Sequence, residues 1–359
     1  MAPQVNITLS DRQLHFTLSH VDVSIANAIR RTALSDIVTP VFTEENMNFL
    51  TNSSRLHNEI LKQRLACIPI HINDVDIKLE NYVVEIIKNN ESGSIEYVTT
   101  EDFKIKNIAN EKYLTEAQTQ KIFPRNPITK DFILFARLRP QITKDIPGEK
   151  IDIRAKISTS NAKNNGMYNV VSTMTYSNSV DPVTQHQAWQ KYSKQLAKLE
   201  IDTESLALEK ENWENHQGKR YYMKNSFDFI VETLGNFTNE EIIKMSCEIL
   251  MRKLQLIIKN KDQFSSKESE NNLSNSFDII LKNEDYTIGK VIESILYHDY
   301  FLNTQQLSYV GFMKKHPHDN DSVVRIAFVK ETPPDQIFPL IAECCLKGID
   351  MFKHIMSSF

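Results

Sequence analysis

An eight-residue pattern occurs once near each end of the chain and limits the possible folds more than any other feature. The first copy is Asp22–Ile29, the second is Asp285–Ile292, and both follow D-x-[S/T]-I-[A/G]-x-x-I. A short polar side chain caps the free N–H groups of a starting helix, and the small residue between two isoleucines permits a close neighbour. The pattern therefore predicts two helices that begin alike, each packed against another element.

Length and charge narrow the classes of function. The chain has 359 residues, which is long enough for two or three domains. Its formal net charge is −4 at pH 7, whereas a protein that coats nucleic acid by charge needs a basic surface to displace counterions from phosphates. Any contact with DNA is therefore expected to be local or indirect.

The cysteines and the apolar runs indicate a compartment. The four cysteines include no C-x-x-C pair, so they fit neither a tetrathiolate zinc site nor a disulfide framework. We expect free, buried thiols at Cys67, Cys247, Cys344 and Cys345, in a reducing compartment. The first residues lack the basic and apolar run of a signal peptide, and no apolar run is long enough to span a bilayer. A soluble intracellular protein with no membrane partner is expected.

Hydrophobic periodicity divides the chain into two outer halves and an insert. The insert alternates apolar and polar residues as β-strands do, and it ends in a helical tail, 181–219. The second half follows a linker without apolar period and has the order strand, helix, strand, strand, helix. The expected fold class is α+β. The predicted segments are 1–73 and 220–258 for the first half, 74–219 for the insert, 259–276 for the linker and 277–359 for the second half.

Each outer half is predicted to close with a long amphipathic helix, one beginning at Thr238 and one at Pro334. Neither helix can bury its apolar stripe within its own half. We expect the two helices to cover each other around a pseudo-two-fold axis. The residues predicted to form this internal dimerisation interface are Ile249, Leu250, Leu254, Ile257, Ile288, Ile292, Ile341 and Phe352.

The sequence offers little support for catalysis. It contains no phosphate-binding glycine loop, no nucleophile elbow and no spaced catalytic triad, so we predict no catalytic residue and no cofactor. His316–Asp321 resembles a metal cluster, but its proline, aspartates and asparagine favour a turn. Asp74–Asp76 is interpreted as a loop, and no metal site is predicted. Trp189 and Trp213 are expected to pack. Tyr221 and Tyr222, with basic neighbours, are a weak single-strand-binding pattern.

Two motifs in the first half resemble a known family. Asn27–Arg31, followed by Asn58–Ile70, is similar in residues and spacing to the N-[AS]-L-R-R and D-E-x-x-x-x-R-L-G-x-I-P-L signatures of the α-like subunits of cellular RNA polymerases. Phe135–Pro140 and Gly148–Ala155 are similar to a conserved run in the insert domain of that family. Ala66 and Asn58 depart from its glycine and aspartate, and no zinc-site or iron-sulfur-site cysteines are present in the insert.

The C-terminal part resembles the smaller partner of the same subunit. The similarity lies in Leu281–Lys290, in Gly311–Phe312 before His316–Pro317, and in Val324–Ile326. In cells the two α-like subunits are separate chains that form a heterodimer, and here their motifs stand in one chain. A joined pair of this kind resembles the fused subunits of large cytoplasmic DNA viruses, which implies a cytoplasmic transcription site and a place in the virion.

The resemblance implies a non-catalytic assembly platform. Its expected partners are the second-largest and largest polymerase subunits and a small zinc-binding subunit, with DNA reached only through the complex. Two alternatives stay open: the arginines are solvated or locally paired side chains, or the chain is a transcription-associated regulatory module outside the core enzyme. The residues expected to contact the large subunit are Asn27, Arg30, Arg31, Leu34 and Arg64.

Overall fold

A computed structural model of the protein describes residues 2–9, 12–72, 79–143, 145–196, 202–259, 264–268 and 273–359. Helices and antiparallel sheets are mixed throughout, which confirms the α+β class. Over these residues no helix is both long and apolar enough to cross a membrane. Asp74–Asp76, the predicted boundary at 73 and much of the predicted linker lie outside the described residues.

Helices and strands follow each other in irregular alternation. In the described part of the chain the α-helices are α1 (Val23–Ser35), α2 (Asn58–Ala66), α3 (Glu116–Ile122), α4 (Pro182–Leu196), α5 (Thr203–Asn215), α6 (Asn239–Lys259), α7 (Tyr286–Leu296) and α8 (Ile337–Met356). The strands are β1 (Gln4–Leu9), β2 (Leu14–Ser19), β3 (Thr39–Val41), β4 (Met47–Asn52), β5 (Tyr82–Asn89), β6 (Glu96–Thr99), β7 (Phe103–Asn107), β8 (Lys112–Tyr113), β9 (Leu134–Leu138), β10 (Lys150–Lys156), β11 (Ser158–Ser160), β12 (Val171–Val180), β13 (Tyr222–Thr233), β14 (Phe264–Glu268), β15 (Ser276–Leu281), β16 (Leu307–Met313) and β17 (Ser322–Phe328).

The chain divides into two compact units. Unit 1 comprises Met1–Ala33, Thr173–Glu232 and Asn239–Phe359, and unit 2 comprises Leu34–Ser172 and Thr233–Thr238. The division differs from the predicted insert, 74–219. The helical tail belongs to unit 1, because α4 and α5 connect β12 to β13, which are neighbours in one sheet of that unit.

Unit 1 contains two four-stranded sheets. The first has the order β1-β2-β13-β12, and the second has the order β14-β15-β17-β16. Strand β14 lies within the predicted linker and pairs antiparallel with β15, from Phe264 opposite Leu281 to Glu268 opposite Phe277. Backbone pairing needs no apolar alternation, so hydrophobic periodicity gave no signal for this strand.

Three helices of unit 1 pack together. Helix α6 lies along α8, and α7 contacts both. A π-helical turn, Tyr297–Asn303, follows α7. Helix α8 begins at Ile337, later than predicted, after a 3-10 turn at Pro334–Gln336. Pro339 lies in the first turn of α8, where a missing N–H costs no helical hydrogen bond, so the proline is tolerated there.

Helices α4 and α5 form a hairpin with its own aromatic core. Trp189 and Trp213 are both buried, and their ring centroids lie 5.4 Å apart. The Tyr192 ring lies 5.8 Å from Trp189, and the Tyr221 ring stacks on Trp213 at 5.9 Å. The prediction that both tryptophans pack is therefore confirmed.

Unit 2 is mostly β. Its largest sheet has the order β4-β10-β5-β7-β8, and β6-β9 and β11-β3 form two smaller ribbons. Strand β10 alternates buried and exposed residues, with Ile151, Ile153 and Ala155 turned inward. The inner face carries a core that includes Phe103, in edge contact with Phe123 and Phe135.

Candidate partner-binding surface

Both copies of the repeated pattern begin helices, as predicted. Asp22 precedes α1, and its Oδ1 accepts a hydrogen bond from the Ser24 amide at 2.8 Å. Asp285 is the N-cap of α7, and its Oδ1 accepts one from the Thr287 amide at 2.9 Å. In both helices the aspartate satisfies one of the N–H groups that a first turn leaves free.

The small residue of each pattern lies in a tight space. Ala26 is fully buried. At Gly289 an added Cβ would lie 1.9 Å from Cε2 of Phe312, a residue of β16. The ring of Phe312 therefore rests directly on the backbone of α7. The predicted close neighbour of the second helix is a strand, and only glycine admits it at this distance.

Arg31 connects the two patterns. Its Nη2 donates to Oδ2 of Asp285 at 3.0 Å, and its Nε donates to Oγ1 of Thr287 at 2.9 Å. The side chains of Arg31 and Asp285 are 37% and 30% exposed, so water screens the pair only in part. The guanidinium thus binds the cap of the second helix with two of its donors, and its contact with another subunit stays a prediction.

Asp22 faces the far end of the other helix. Its Oδ2 lies 3.7 Å from Nε2 of His298, in the π-helical turn after α7. Partial burial raises the pKa of Asp22, but hydrogen bonds from Ser24 and Ser294 and the charge of His298 outweigh it, so the pKa lies below its ordinary value. The carboxylate form is favoured at this position.

A cavity of about 620 Å³ lies between α1 and α7. Asp22 and His298 both line it, and three exposed apolar or aromatic side chains border it, Val23, Tyr286 and Tyr297. Exposed aromatic and apolar side chains are enriched on surfaces that another protein covers. This cavity is the strongest candidate in unit 1 for a partner contact.

The other predicted contact residues of α1 are held locally. Asn27 lines the cavity, and its Oδ1 accepts a hydrogen bond from Nε of Arg30 at 3.0 Å. Leu34 is half-buried near the end of the helix. Arg30 and Asn27 are thus paired with each other one turn apart, and the structure tests none of these three as partner contacts.

Arg64 is in unit 2, on α2. Its Nε donates to the carbonyl of Phe135 and its Nη2 donates to the carbonyl of Leu134, both at 2.7 Å. Neither a local salt bridge nor free solvation describes this side chain, because its fork binds the backbone of β9. The sequence contained no signal for this contact, since carbonyls are present at every residue.

The predicted internal interface occupies the helices of unit 1. All its residues are buried except Ile249, which is half-buried. Gly348 of α8, which the sequence pattern did not reveal, lies where an added Cβ would be 2.9 Å from Cδ1 of Leu254 on α6 and 3.4 Å from Cδ1 of Ile295 on α7. The sequence did contain a signal for this contact, a glycine inside a long predicted helix. Because glycine destabilises a helix interior, its presence there indicates a position where close packing leaves no room for a side chain.

The remaining motifs have structural roles. His316–Asp321 lies in the turn between β16 and β17, where the His318 amide donates to Nδ1 of His316, in agreement with the predicted turn. Among the described residues no group of three histidine, cysteine or acidic side chains is arranged to hold a metal. Cys247, Cys344 and Cys345 are buried free thiols, as predicted, and burial raises the pKa of Cys247 to about 12. The prediction of burial is wrong for Cys67, which is a free but exposed thiol just after α2.

Comparison with known proteins gives the class of this fold. The family described as the RNA polymerase Rpb3/Rpb11 dimerisation domain matches residues 15–254, more than half of the chain. The chain therefore belongs to the RNA polymerase Rpb3/Rpb11 dimerisation family.

Individual relatives are RNA polymerase subunits. Subunit Rpo3 of the DNA-directed RNA polymerase of Pyrococcus horikoshii is 25% identical over 272 residues, which cover 69% of this chain and 93% of the relative. Subunit RPAC1 of DNA-directed RNA polymerases I and III of Saccharomyces cerevisiae is 26% identical over 300 residues, covering 71% and 86%. Rpo3 of Pyrococcus furiosus is 25% identical over 280 residues, covering 70% and 94%.

Proposed function

We propose that this chain is a non-catalytic assembly subunit of a multisubunit DNA-directed RNA polymerase, with both members of the α-like pair joined in one polypeptide. Family membership supports the first member, because the match covers residues 15–254. Support for the second member comes from the architecture that follows this region. The observation that carries the proposal is the repetition of one arrangement of strands and helices within unit 1.

The repetition concerns topology. The order β1-β2-β13-β12 in the first sheet corresponds to β14-β15-β17-β16 in the second, strand for strand and in the same chain order. Helices correspond as well: α1 and α7 follow the second strand of each set, and α6 and α8 follow the last. Unit 2 and the α4–α5 hairpin are insertions in the first set only. Two halves with one topology are what a pseudo-symmetric pair requires.

Reciprocal contacts between the helix starts support the same conclusion. Aligning Asp22 with Asp285 places Arg31 opposite Ser294 in the two patterns. Arg31 binds Asp285, and Ser294 contributes to the lowered pKa of Asp22. Each capping aspartate thus faces the matching position of the other helix, as a two-fold axis between α1 and α7 would place it.

The proposed role is to present a preassembled platform. The apolar stripes of α6 and α8 cover each other within unit 1, so each half stabilises the other. Joining the halves in one chain raises the effective concentration of one for the other, on the order of millimolar, and removes the need for subunit encounter.

The proposed partners are the second-largest and largest polymerase subunits and a small zinc-binding subunit, with DNA contacted only through the complex. The proposed contact residues for the large subunit are Asn27, Arg30, Arg31, Leu34 and Arg64. The fused arrangement resembles that of African swine fever virus and related large cytoplasmic DNA viruses, and we propose a cytoplasmic transcription site and the virion as its locations. The partners and locations rest on that resemblance.

Reconstitution tests the proposal. The full chain is co-expressed with the two large polymerase subunits, and the complex is isolated by gel filtration. A stable complex with one copy of each subunit is expected. If the three proteins elute separately, the assembly role is wrong, and the alternative of a regulatory module outside the core enzyme gains support.

A pair of variants locates the contact. Arg30→Glu reverses a charge whose only described partner is the neighbouring Asn27, so the fold should survive and capture of the second-largest subunit should weaken. Arg252→Glu makes the same change on an exposed position of α6 and serves as the control. Equal capture by both variants would remove Arg30 from the proposed interface.

A further inference from the structure

A second groove, in unit 2, is rich in arginine. It has a volume of about 450 Å³ and runs along β9 between α2 and the start of β6. We name it the arginine groove. Its lining residues are Arg55, Leu56, Arg64, Ile95 and those of the run 134–139.

The positive charge of the arginine groove is largely uncompensated. Arg139 is paired with Glu149, whose side chain is only 7% exposed. Arg64 donates to two backbone carbonyls, which carry no net charge to neutralise it. Arg137 lies over the Tyr97 ring at 5.5 Å, and among the described residues neither Arg137 nor Arg55 has a carboxylate partner. Three of the arginines that line the groove therefore have no carboxylate partner among the described residues.

Apolar surface accompanies this charge. Ile95 and Tyr97, at the edge of the groove, are each 53% exposed, and Leu56 lies in its wall. Aliphatic surface suits the side chains of a peptide better than stacked bases, and Arg137 already covers a face of the Tyr97 ring. Guanidinium forks bind carboxylates in planar, two-bond geometry. These features together favour an acidic peptide with apolar side chains over a nucleic acid.

We propose that the arginine groove binds an extended acidic segment of a partner protein. Carboxylates of the segment pair with Arg55, Arg137 and the remaining donors of Arg64, and an apolar side chain between them packs on Ile95. Arg64 thereby holds β9 and contributes to the binding site at once. The inference deepens the proposed contact at Arg64 and rests on the proposed function only in assigning the segment to a polymerase subunit.

Fluorescence anisotropy of the full-length chain tests the inference. The probe is a short fluorescein-labelled peptide in which glutamate, aspartate and phenylalanine alternate. Arg55→Gln/Arg137→Gln removes two charges from the groove, and affinity for the probe should fall by about tenfold or more, since each lost charge-assisted bond weakens binding severalfold. Lys121→Gln/Arg125→Gln removes the same charge from exposed positions of unit 2 outside the groove and should leave affinity within about twofold.

Two further binding measurements distinguish an acidic peptide with apolar side chains from other ligands. Replacing phenylalanine by serine in the probe should weaken binding to the wild-type chain, because the contact with Ile95 is lost. A labelled single-stranded RNA oligonucleotide is titrated in parallel. Failure of the wild-type chain to bind the peptide, equal loss in both double variants, or groove-dependent binding of RNA in preference to the peptide would overturn the inference. Because the assay uses the isolated chain, its failure leaves the reconstitution result unaffected.

Discussion

Arg31 and Asp285 lie 254 positions apart in sequence and form an ion pair of 3.0 Å in unit 1. The Asp285 carboxylate has two roles at once. Its Oδ1 accepts a hydrogen bond from the Thr287 amide and caps α7, while its Oδ2 accepts one from Nη2 of Arg31 on α1. One side chain thereby fixes both the start of a helix and its position beside another.

Substitution of Asp285 separates these two roles. Asp285→Ala removes cap and charge and should lower the free energy of unfolding by about 1–2 kcal/mol. Asp285→Asn retains a capping oxygen and should cost less than about 1 kcal/mol, because the ion pair is about one third exposed. Urea unfolding followed by tryptophan fluorescence measures both, since Trp189 and Trp213 belong to unit 1. Equal losses in the two variants would show that the ion pair, and not the cap, dominates.

Gly289 should tolerate no side chain. In Gly289→Ala the new methyl group meets the Phe312 ring at 1.9 Å, so the strand or helix must move, at a cost of about 1–3 kcal/mol. Gly166→Ala is the control, because the added Cβ would meet no non-neighbouring residue within 4 Å there. Thermal unfolding compares the two variants. A second change, Phe312→Leu, should recover part of the loss; no recovery would contradict the proposed clash.

Burial on α6 can be tested with two leucines of the same helix. Leu254 is fully buried beside Gly348 of α8, whereas Leu256 is 47% exposed. Leu254→Ala should lower the free energy of unfolding by about 2–5 kcal/mol through lost burial and a residual cavity. Leu256→Ala should cost less than about 1 kcal/mol. Similar losses in urea unfolding would mean that α6 does not depend on the interface with α8.

Local patterns predicted the local structures well. The D-x-[S/T]-I-[A/G]-x-x-I pattern predicted two capped helices, and Asp22, Asp285 and the close contact at Gly289 agree with it. Capping and small-residue packing are encoded within a few positions, so one stretch of sequence is enough to recognise them.

Contacts between distant residues were not predictable in the same way. The resemblance predicted Arg31 as a donor for a partner subunit, but in the structure it pairs with Asp285, a residue that only the tertiary fold brings close. Arg64 donates to backbone carbonyls of β9, and every residue has such a carbonyl, so the sequence does not indicate this contact. Strand β14 was not predicted for a similar reason, since it pairs with β15 through backbone hydrogen bonds, which do not depend on residue type.

The imidazole of His71 should make unit 2 sensitive to acid. Burial lowers the pKa of His71 below its ordinary value of 6.5. As the pH falls, His71 therefore becomes protonated near pH 6.5 in the unfolded chain but only at a lower pH in the folded chain. Because the unfolded chain binds this proton first, the stability of unit 2 falls as the pH drops through this window. Hydrogen exchange of β10 amides at pH 7.5 and 5.5, corrected for intrinsic rates, should show this loss of protection.

Two histidine variants test the assignment. His71→Gln should reduce the difference in protection between the two pH values, whereas His57→Gln, at an imidazole that is 68% exposed, should retain it. An unchanged difference in His71→Gln would assign the acid sensitivity to other groups.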